Sequence, residues 1–225
     1  MRTLAIGDIH GCLVALETLL AAVALEADDT VVALGDFVDR GPDSRGVIDR
    51  LIGLHDAGQL VAILGNHDEM MLAALQGGKS RGWLWFGGEE TLASYGHGPT
   101  ETVFDRVPTA HVDFLWKACR PYYETETHLF AHAGVQPDVP MPQQSEDVLR
   151  WLKLTGPIRH ASGKTLIVGH TKQRSGVPLV LDGVVCIDTG AYEEDGWLTC
   201  LDVDSGKYWQ ANERGETREG SISGS

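Results

Sequence analysis

The chain has 225 residues, of which 43% are hydrophobic and 22% are charged, a composition typical of globular proteins. This length is most economically one domain with a sizeable core. The formal net charge of −14 argues against a nucleic acid polymer as a partner, because a protein that binds a phosphate backbone needs a basic surface. A phosphate-containing substrate would depend instead on local positive charge, such as that of bound metal ions.

The N-terminus and the cysteines indicate the compartment. The first predicted strand begins at residue 3, which leaves no room for a signal peptide, and no apolar run approaches the roughly 18 residues of a membrane span. The four cysteines are dispersed and form no CxxC pair, which favours free buried thiols over disulfides. We therefore expect a cytoplasmic protein without a membrane partner. The oligomeric state stays open, with a monomer favoured by the negative charge.

The first third of the chain alternates predicted strands with predicted helices. Apolar runs at residues 3–6, 30–34 and 60–64 predict buried strands, and apolar side chains at helical spacing predict helices over residues 12–25 and 44–57. Two successive βαβ units of this kind imply parallel pairing with right-handed crossovers.

The middle of the chain is predicted to be mainly helical. Residues 69–76 and 108–119 have helical apolar spacing. Between them, residues 83–88 (WLWFGG) are aromatic and glycine-punctuated. This segment is interpreted either as a cap on the core or as a lid that faces the substrate.

From about residue 127 the pattern changes to short strands separated by turns. The predicted strands are residues 128–132, 165–168, 184–187 and 198–203. A helix over residues 146–154, with Ser145 as its N-cap, is expected between the first two. The fold predicted is α/β (α+β), with two mixed sheets packed together and flanked by helices in four αββα layers. One domain is expected over residues 1–214, and the polar tail 215–225 is expected to be disordered.

Polar side chains gather where the predicted strands end. Asp8 and His10 lie two residues apart, so in an extended strand end both point the same way. Parallel strands bring the loops that follow them to one edge of the sheet. The candidate ligands at these strand ends are Asp8, His10, Asp36, Asn66, His132 and His170. Oxygen and imidazole ligands without thiolate suit Mn, Fe or Zn, and a carboxylate shared by two ions, here Asp36, can hold them about 3.5–4 Å apart.

Five ordered motifs carry a family resemblance. GDIHG (7–11), GDFVDRG (35–41), GNHD (65–68), HAGV (132–135) and GHT (169–171) resemble the phosphoprotein phosphatase branch of the calcineurin-like metallophosphoesterases. The resemblance covers roughly residues 3–203. Any one motif alone would be weak, but five in this order are specific.

The resemblance implies a binuclear metal centre. The first metal would be held by Asp8, His10 and Asp36, and the second by Asp36, Asn66, His132 and His170. Two divalent ions are implied, with Mn²⁺ expected and Fe or Zn as alternatives. Together they would lower the pKa of a bridging water, so that hydroxide attacks phosphorus in line.

The resemblance also implies roles beside the metals. Arg40, with its planar and permanently charged guanidinium, would bind the phosphoryl oxygens. His67 would protonate the leaving oxygen, and Asp39 would orient its imidazole. Asn66 and Tyr192 complete the predicted substrate contacts.

Two departures from the family pattern bear on substrate. Asp68 stands where protein phosphatases of this family usually have Glu. An Asp at this position is typical of symmetrical diadenosine tetraphosphatases, but those relatives usually lack the Asp39-Arg40 pair. The family also supplies a second phosphate-binding Arg, often after a Trp, whereas here Arg150 precedes Trp151. Arg150 is therefore interpreted either as that phosphate ligand or as a solvated helix charge.

These patterns predict a metal-dependent phosphatase. The Asp39-Arg40 pair favours hydrolysis of phosphomonoesters on Ser or Thr of proteins. The alternative is symmetrical cleavage of diadenosine tetraphosphate to two ADP, favoured by Asp68 and the small chain. A catalytically silent scaffold is disfavoured, because every expected ligand is present.

Overall fold

The first third of the chain builds the centre of one sheet. A computed structural model describes residues 1–78, 80–96 and 105–222. The first elements are β1 (Thr3–Ile6), α1 (Leu13–Val23), β2 (Thr30–Ala33), α2 (Ser44–Asp56) and β3 (Leu60–Ala62). β1 pairs with β2, and β2 with β3, both in parallel. The two predicted βαβ units are confirmed.

The middle of the chain is helical. It contains α3 (Asn66–Leu75), α4 (Ser80–Trp83), a π-helical turn (Leu84–Gly88), α5 (Glu89–Tyr95), α6 (Thr109–Asp113) and a second π-helical turn (Phe114–Ala118). α3 begins three residues earlier than predicted, because the Asp68 carboxylate accepts the Gly65 N–H at 3.0 Å and so caps the helix. In the ranges that the structure describes, no helix combines the length and the apolar character needed to cross a bilayer.

The second sheet comes from the later part of the chain. Its strands are β4 (Tyr122–Glu124), β5 (His128–Ala131), β6 (Thr165–Val168), β7 (Leu179–Leu181) and β8 (Val184–Cys186), in the order β4-β5-β6-β8-β7. The inner pairs are parallel and the two edge pairs antiparallel. A short 3-10 helix (Met141–Gln143) and α7 (Glu146–Trp151) lie between β5 and β6. Ser145 caps α7 as predicted, accepting the Val148 N–H at 3.3 Å.

The C-terminal strands complete the first sheet. They are β9 (Leu198–Asp202), β10 (Lys207–Ala211) and β11 (Thr217–Ser221), which give the order β11-β10-β9-β1-β2-β3. The prediction of a disordered tail from residue 215 is wrong for β11, which pairs antiparallel with β10. Backbone hydrogen bonds to β10 stabilise this strand. Because its side chains are mostly polar, the sequence contains no apolar pattern that would have predicted it. The domain therefore extends past residue 214, while residues 223–225 lie outside the described ranges.

Three apolar layers show where the sheets and helices meet. Side chains from both sheets, among them Leu34, Phe130 and Leu201, form one buried cluster between the sheets. A second cluster joins α1 and α2 to the first sheet. A third, which includes Leu149 of α7, covers the second sheet. The four-layer αββα prediction is confirmed.

Candidate metal centre and active site

The loops after β1 and β2 are bonded to each other. The Ile9 and His10 N–H groups both donate to the Asp36 carbonyl, at 3.1 and 2.8 Å. His10 and Asp36 have φ of 47° and 52°, a left-handed conformation that non-glycine residues rarely adopt. Backbone strain of this kind costs about 1–3 kcal/mol per residue and clusters at functional sites.

Asp36 belongs to two groups of candidate ligands. His10, Asp36 and His67 form one group, and Asp36, His132 and His170 form the other, with ligand atoms in each lying within 4.8 Å of one another. One carboxylate oxygen lies 3.6 Å from His10 Nε2, and the other lies 3.4 Å from His132 Nε2. Each oxygen thus faces a different group, an arrangement in which one carboxylate would be able to serve two metal ions.

Backbone carbonyls orient the imidazoles. His10 Nδ1 lies 2.9 Å from the Val38 carbonyl, and His132 Nδ1 lies 2.8 Å from the Leu34 carbonyl. Because a carbonyl can only accept, each Nδ1 carries the proton and each Nε2 keeps its lone pair. Metal-binding histidines are usually held by such a hydrogen bond from the other ring nitrogen.

Three acceptor atoms are placed where a cation would satisfy them. His170 Nε2 is buried without a hydrogen-bond partner among the described residues. Asn66 Oδ1 lies 2.9 Å from His132 Nε2, so two acceptors face each other. A bound divalent ion would give these three atoms a partner, and this donor set suits Mn, Fe or Zn.

Asp8 lines the cavity beside the second group of ligands. Its carboxylate accepts the His170 N–H at 3.0 and 3.1 Å. Asp8, Asp36, Asn66 and His170 line one cavity of about 220 Å³. The sequence predicted Asp8, His10 and Asp36 as the ligands of the first metal. In the structure the group around His10 and Asp36 includes His67 instead of Asp8, although Asp8 lines the same cavity. The structure thus brings all six predicted ligands to one edge of the fold.

The buried carboxylates raise a charge problem that metal ions would resolve. Burial and then the Asp188 carboxylate raise the pKa of Asp8. Burial also opposes the charge of Asp36, but His132 and other imidazoles outweigh it and lower the pKa of Asp36. Burial is the main cause that raises the pKa of Asp188 to about 6. Three carboxylates this close need nearby positive charge.

Arg40 and His67 meet at this cavity. Arg40 Nη1 lies 2.7 Å from His10 Nε2, and Nη2 lies 3.0 Å from His67 Nε2. His67 Nδ1 lies 2.6 Å from Asp39 Oδ2. Burial lowers the pKa of His67, but the carboxylates of Asp36 and Asp39 raise it by more, so the pKa lies above its usual value.

Two further side chains hold Asp39 in place. Trp83 Nε1 donates to both Asp39 oxygens at 2.9 and 3.0 Å, and Thr91 Oγ1 donates to Oδ1 at 2.7 Å. The interpretation of residues 83–88 as a core cap holds for the ring of Trp83, which is buried. Neither contact was foreseen from the sequence. The need of a buried indole N–H for an acceptor is a signal for Trp83, whereas Thr91 carries none.

Arg150 does not line the metal cavity, so the structure does not bring it to the predicted phosphate contact, and at 6% exposure it is not the solvated helix charge of the alternative interpretation either. Its guanidinium pairs with Glu69 and with Glu146, the latter at 3.1 Å, and it lines a separate groove. α7 ends at Trp151, so the chain turns, and Trp151 and Lys153 line the metal cavity instead. Helical periodicity cannot place residues that follow the end of the helix.

Tyr192 lies against the predicted site residues. Its ring makes an edge-on contact with His10, with ring centroids 5.1 Å apart. Arg40 Cζ lies 4.6 Å from its ring centroid, within the range of a cation–π interaction. Tyr192 therefore supports Arg40 at the edge of the cavity.

Asp68 is a buried residue whose carboxylate links two of the motif loops. Its carboxylate accepts the Phe37 N–H at 2.9 Å and the Gly65 N–H at 3.0 Å, so it ties the second motif loop to the third. It is fully buried, and burial with the Asp36 charge raises its pKa to about 7. The residue that separates the two substrate predictions therefore acts through loop positions rather than through substrate contact.

The chain is similar in sequence and in fold to proteins of named activity. A curated relative from Pectobacterium carotovorum subsp. carotovorum (strain PC1), named "Bis(5'-nucleosyl)-tetraphosphatase, symmetrical", is 34% identical over 148 residues. The match covers 63% of this chain and 46% of the relative, so the chain spans less than half of the length of that relative.

Solved structures share the fold. The crystal structure of a candidate diadenosine tetraphosphatase superposes with a TM-score of 0.66 at 22% identity, covering 100% of this chain and 95% of that one. A cold-active protein-tyrosine phosphatase from a Shewanella species gives a TM-score of 0.64 at 16% identity, covering 97% and 80%. The profile described as calcineurin-like phosphoesterase matches residues 1–197. The chain belongs to the calcineurin-like phosphoesterase family.

Proposed function

We propose that the protein hydrolyses dinucleoside polyphosphates and cleaves diadenosine tetraphosphate symmetrically to two ADP. The observation that carries this proposal is the aromatic lining of the metal cavity. Phe86 and Trp151 are 52% and 43% exposed and line it together with Asp8, Asp36 and His170. Exposed rings next to a phosphate-binding site suit a nucleotide, because bases stack on aromatic side chains. The name of the Pectobacterium carotovorum relative supports the same substrate.

Two divalent ions, with Mn²⁺ as the expected pair, fit the donor set. Their proposed ligands are Asp8, His10, Asp36, Asn66, His132 and His170. When bound, such ions supply Lewis acidity and lower the pKa of a water nucleophile. They also add positive charge in a chain whose formal net charge is −14.

Arg40 is proposed to bind the phosphoryl group. Its Nη1 lies 2.7 Å from His10 Nε2, and its Nη2 lies 3.0 Å from His67 Nε2. A phosphate oxygen is a stronger acceptor than an imidazole nitrogen, so an entering phosphoryl group would take over these donors. Lys153 lines the same cavity, and we propose that it binds a phosphate next to the one that reacts.

His67 is proposed to deliver a proton from Nε2 to the leaving oxygen. Asp39 accepts the Nδ1–H at 2.6 Å, which keeps Nε2 directed at the cavity. Asp39 is itself fixed by Trp83 and Thr91. General acid catalysis of this kind contributes about 100-fold to 10,000-fold in rate.

A second candidate function is dephosphorylation of Ser or Thr in proteins. The braced Asp39-His67 pair favours it, because a serine or threonine alkoxide is a much stronger base than a nucleoside diphosphate. Such a leaving group gains more from a general acid. Under this alternative, the exposed rings would contact the peptide around the phosphorylated residue.

The deciding experiment compares the two substrates on one preparation. Purified protein with Mn²⁺, active on an aryl phosphate, receives diadenosine tetraphosphate or a phosphoserine peptide, and products are separated by chromatography. We expect ADP as the sole nucleotide product and a higher kcat/KM for the dinucleotide. Release of ATP with AMP, or turnover of the peptide alone, would overturn the proposal. Asp36→Asn serves as the inactive control for both substrates.

A further inference from the structure

A second cavity adjoins the metal cavity. It measures about 540 Å³, against about 220 Å³ for the metal cavity, and both are lined by Arg40 and Phe86. Ligand cavities in proteins are typically about 300–1,000 Å³. The metal cavity alone is therefore too small for a nucleotide, whereas the two cavities joined at Arg40 can accommodate one.

Trp85 forms the outer wall of the second cavity. It is 87% exposed, although burying a tryptophan side chain gives a large favourable free energy that an exposed position forgoes. The wall is nevertheless fixed to the site, because the Gly87 carbonyl accepts the Arg40 N–H at 3.2 Å. Gly87 has φ of 113°, and a Cβ there would lie 2.7 Å from the Arg40 nitrogen. Two residues before Trp85, Trp83 is buried and donates a hydrogen bond to Asp39.

The charges of the second cavity change sign along its length. Arg40 lies at the end shared with the metals, whereas Glu89 and Glu90 line the second cavity only. Arg40 attracts a phosphate and the two glutamates repel one. Carboxylates accept hydrogen bonds from amino groups, such as the exocyclic amine of adenine.

We propose that the second cavity binds the base of an adenine nucleotide whose phosphate lies at Arg40, with Trp85 as the stacking surface. This inference rests on the proposed function and deepens it, since it locates one base of the dinucleotide. Tyr192, which contacts Arg40 and also lines the second cavity, lies on the route from phosphate to base.

The test measures product inhibition, so it does not depend on which substrate is natural. Hydrolysis of an aryl phosphate by the Mn²⁺-loaded protein is inhibited with ADP or with inorganic phosphate, and the ratio of the two Ki values is determined. Base stacking on an aromatic side chain corresponds to about 5-fold to 150-fold in affinity. Trp85→Ala should therefore raise the Ki of ADP by that factor relative to the Ki of phosphate. Trp85→Phe should restore part of the difference.

Trp116→Ala is the matched control. Trp116 is also an exposed tryptophan, at 62%, but it lines a separate groove, so its loss should leave the ratio unchanged. An unchanged ratio in Trp85→Ala would overturn the proposal. A second result would also overturn it. If a basic phosphopeptide had a lower Ki than ADP in the wild type but not in Trp85→Ala, the cavity would bind peptide rather than a base.

The same variants separate this inference from the proposed function. A Trp85-dependent Ki for ADP without cleavage of diadenosine tetraphosphate would support the base site and refute the proposed function. Cleavage with an unchanged KM in Trp85→Ala would support the function and refute the base site.

Discussion

Trp83→Phe isolates the hydrogen bond that holds the predicted general acid in place. Phenylalanine keeps an aromatic ring but removes the N–H that donates to both Asp39 oxygens, at 2.9 and 3.0 Å. A hydrogen bond to a charged group contributes about 1.5–3 kcal/mol. Asp39 is fully buried, so no water replaces the lost donor. We expect the free energy of unfolding to fall by about 1.5–3 kcal/mol, as measured by urea unfolding.

The same substitution should affect catalysis in a selective way. If Trp83 positions Asp39 and, through it, His67, turnover of an alkyl phosphate should fall about 10-fold to 100-fold, a part of the roughly 100-fold to 10,000-fold that general acid catalysis contributes. Turnover of an aryl phosphate, whose leaving group needs little protonation, should change much less. Thr91→Val, which removes the other donor to Asp39, should shift the alkyl-to-aryl ratio in the same direction. An unchanged ratio in both variants would refute the positioning role.

Three further predictions follow from other contacts. Asp36→Asn should abolish both metal retention and turnover, because Asp36 belongs to both ligand groups; metal analysis after gel filtration tests this, and near-normal metal content would contradict the two-metal assignment. Arg150→Met should leave kcat/KM unchanged within about 2-fold but lower stability, because it removes the cationic partner of Glu69 and Glu146; a large loss in kcat/KM would return Arg150 to the site. Hydrogen bonds from Arg2 are the main cause that lowers the pKa of Asp29. The ionised Asp29 carboxylate therefore stabilises the fold above the unfolded-state pKa of about 3.9. This contribution is lost as the pH falls below that value and the carboxylate becomes protonated. Asp29→Ala should cost about 1.5–3 kcal/mol at pH 7, and the difference from the wild type in urea midpoint should shrink below about pH 4; a pH-independent difference would contradict this origin.

Local patterns in the sequence were enough to predict the strand ends that carry the candidate ligands. Each ligand of the first three motifs follows an apolar run closely, and parallel pairing returns such loops to one edge by geometry alone. His132 and His170 follow β5 and β6, which pair in parallel in the second sheet. The meeting of the ligands within each sheet was therefore predictable from local patterns, whereas the approach of the two sets to each other was implied only by the family resemblance.

Tertiary structure alone decided which charges reach the cavity. Arg150 and Lys153 are close in sequence, yet the end of α7 at Trp151 sends one to a separate groove and the other to the metal cavity. Hydrogen bonds between distant segments likewise bring Thr91 to Asp39, across 52 positions of the chain. The polar strand β11 is stabilised by backbone pairing, and its side chains show no apolar period from which the strand could be predicted. Sequence periodicity reports which face of an element is buried, but the partner of a polar group depends on how whole elements pack, and that is determined only when the chain folds.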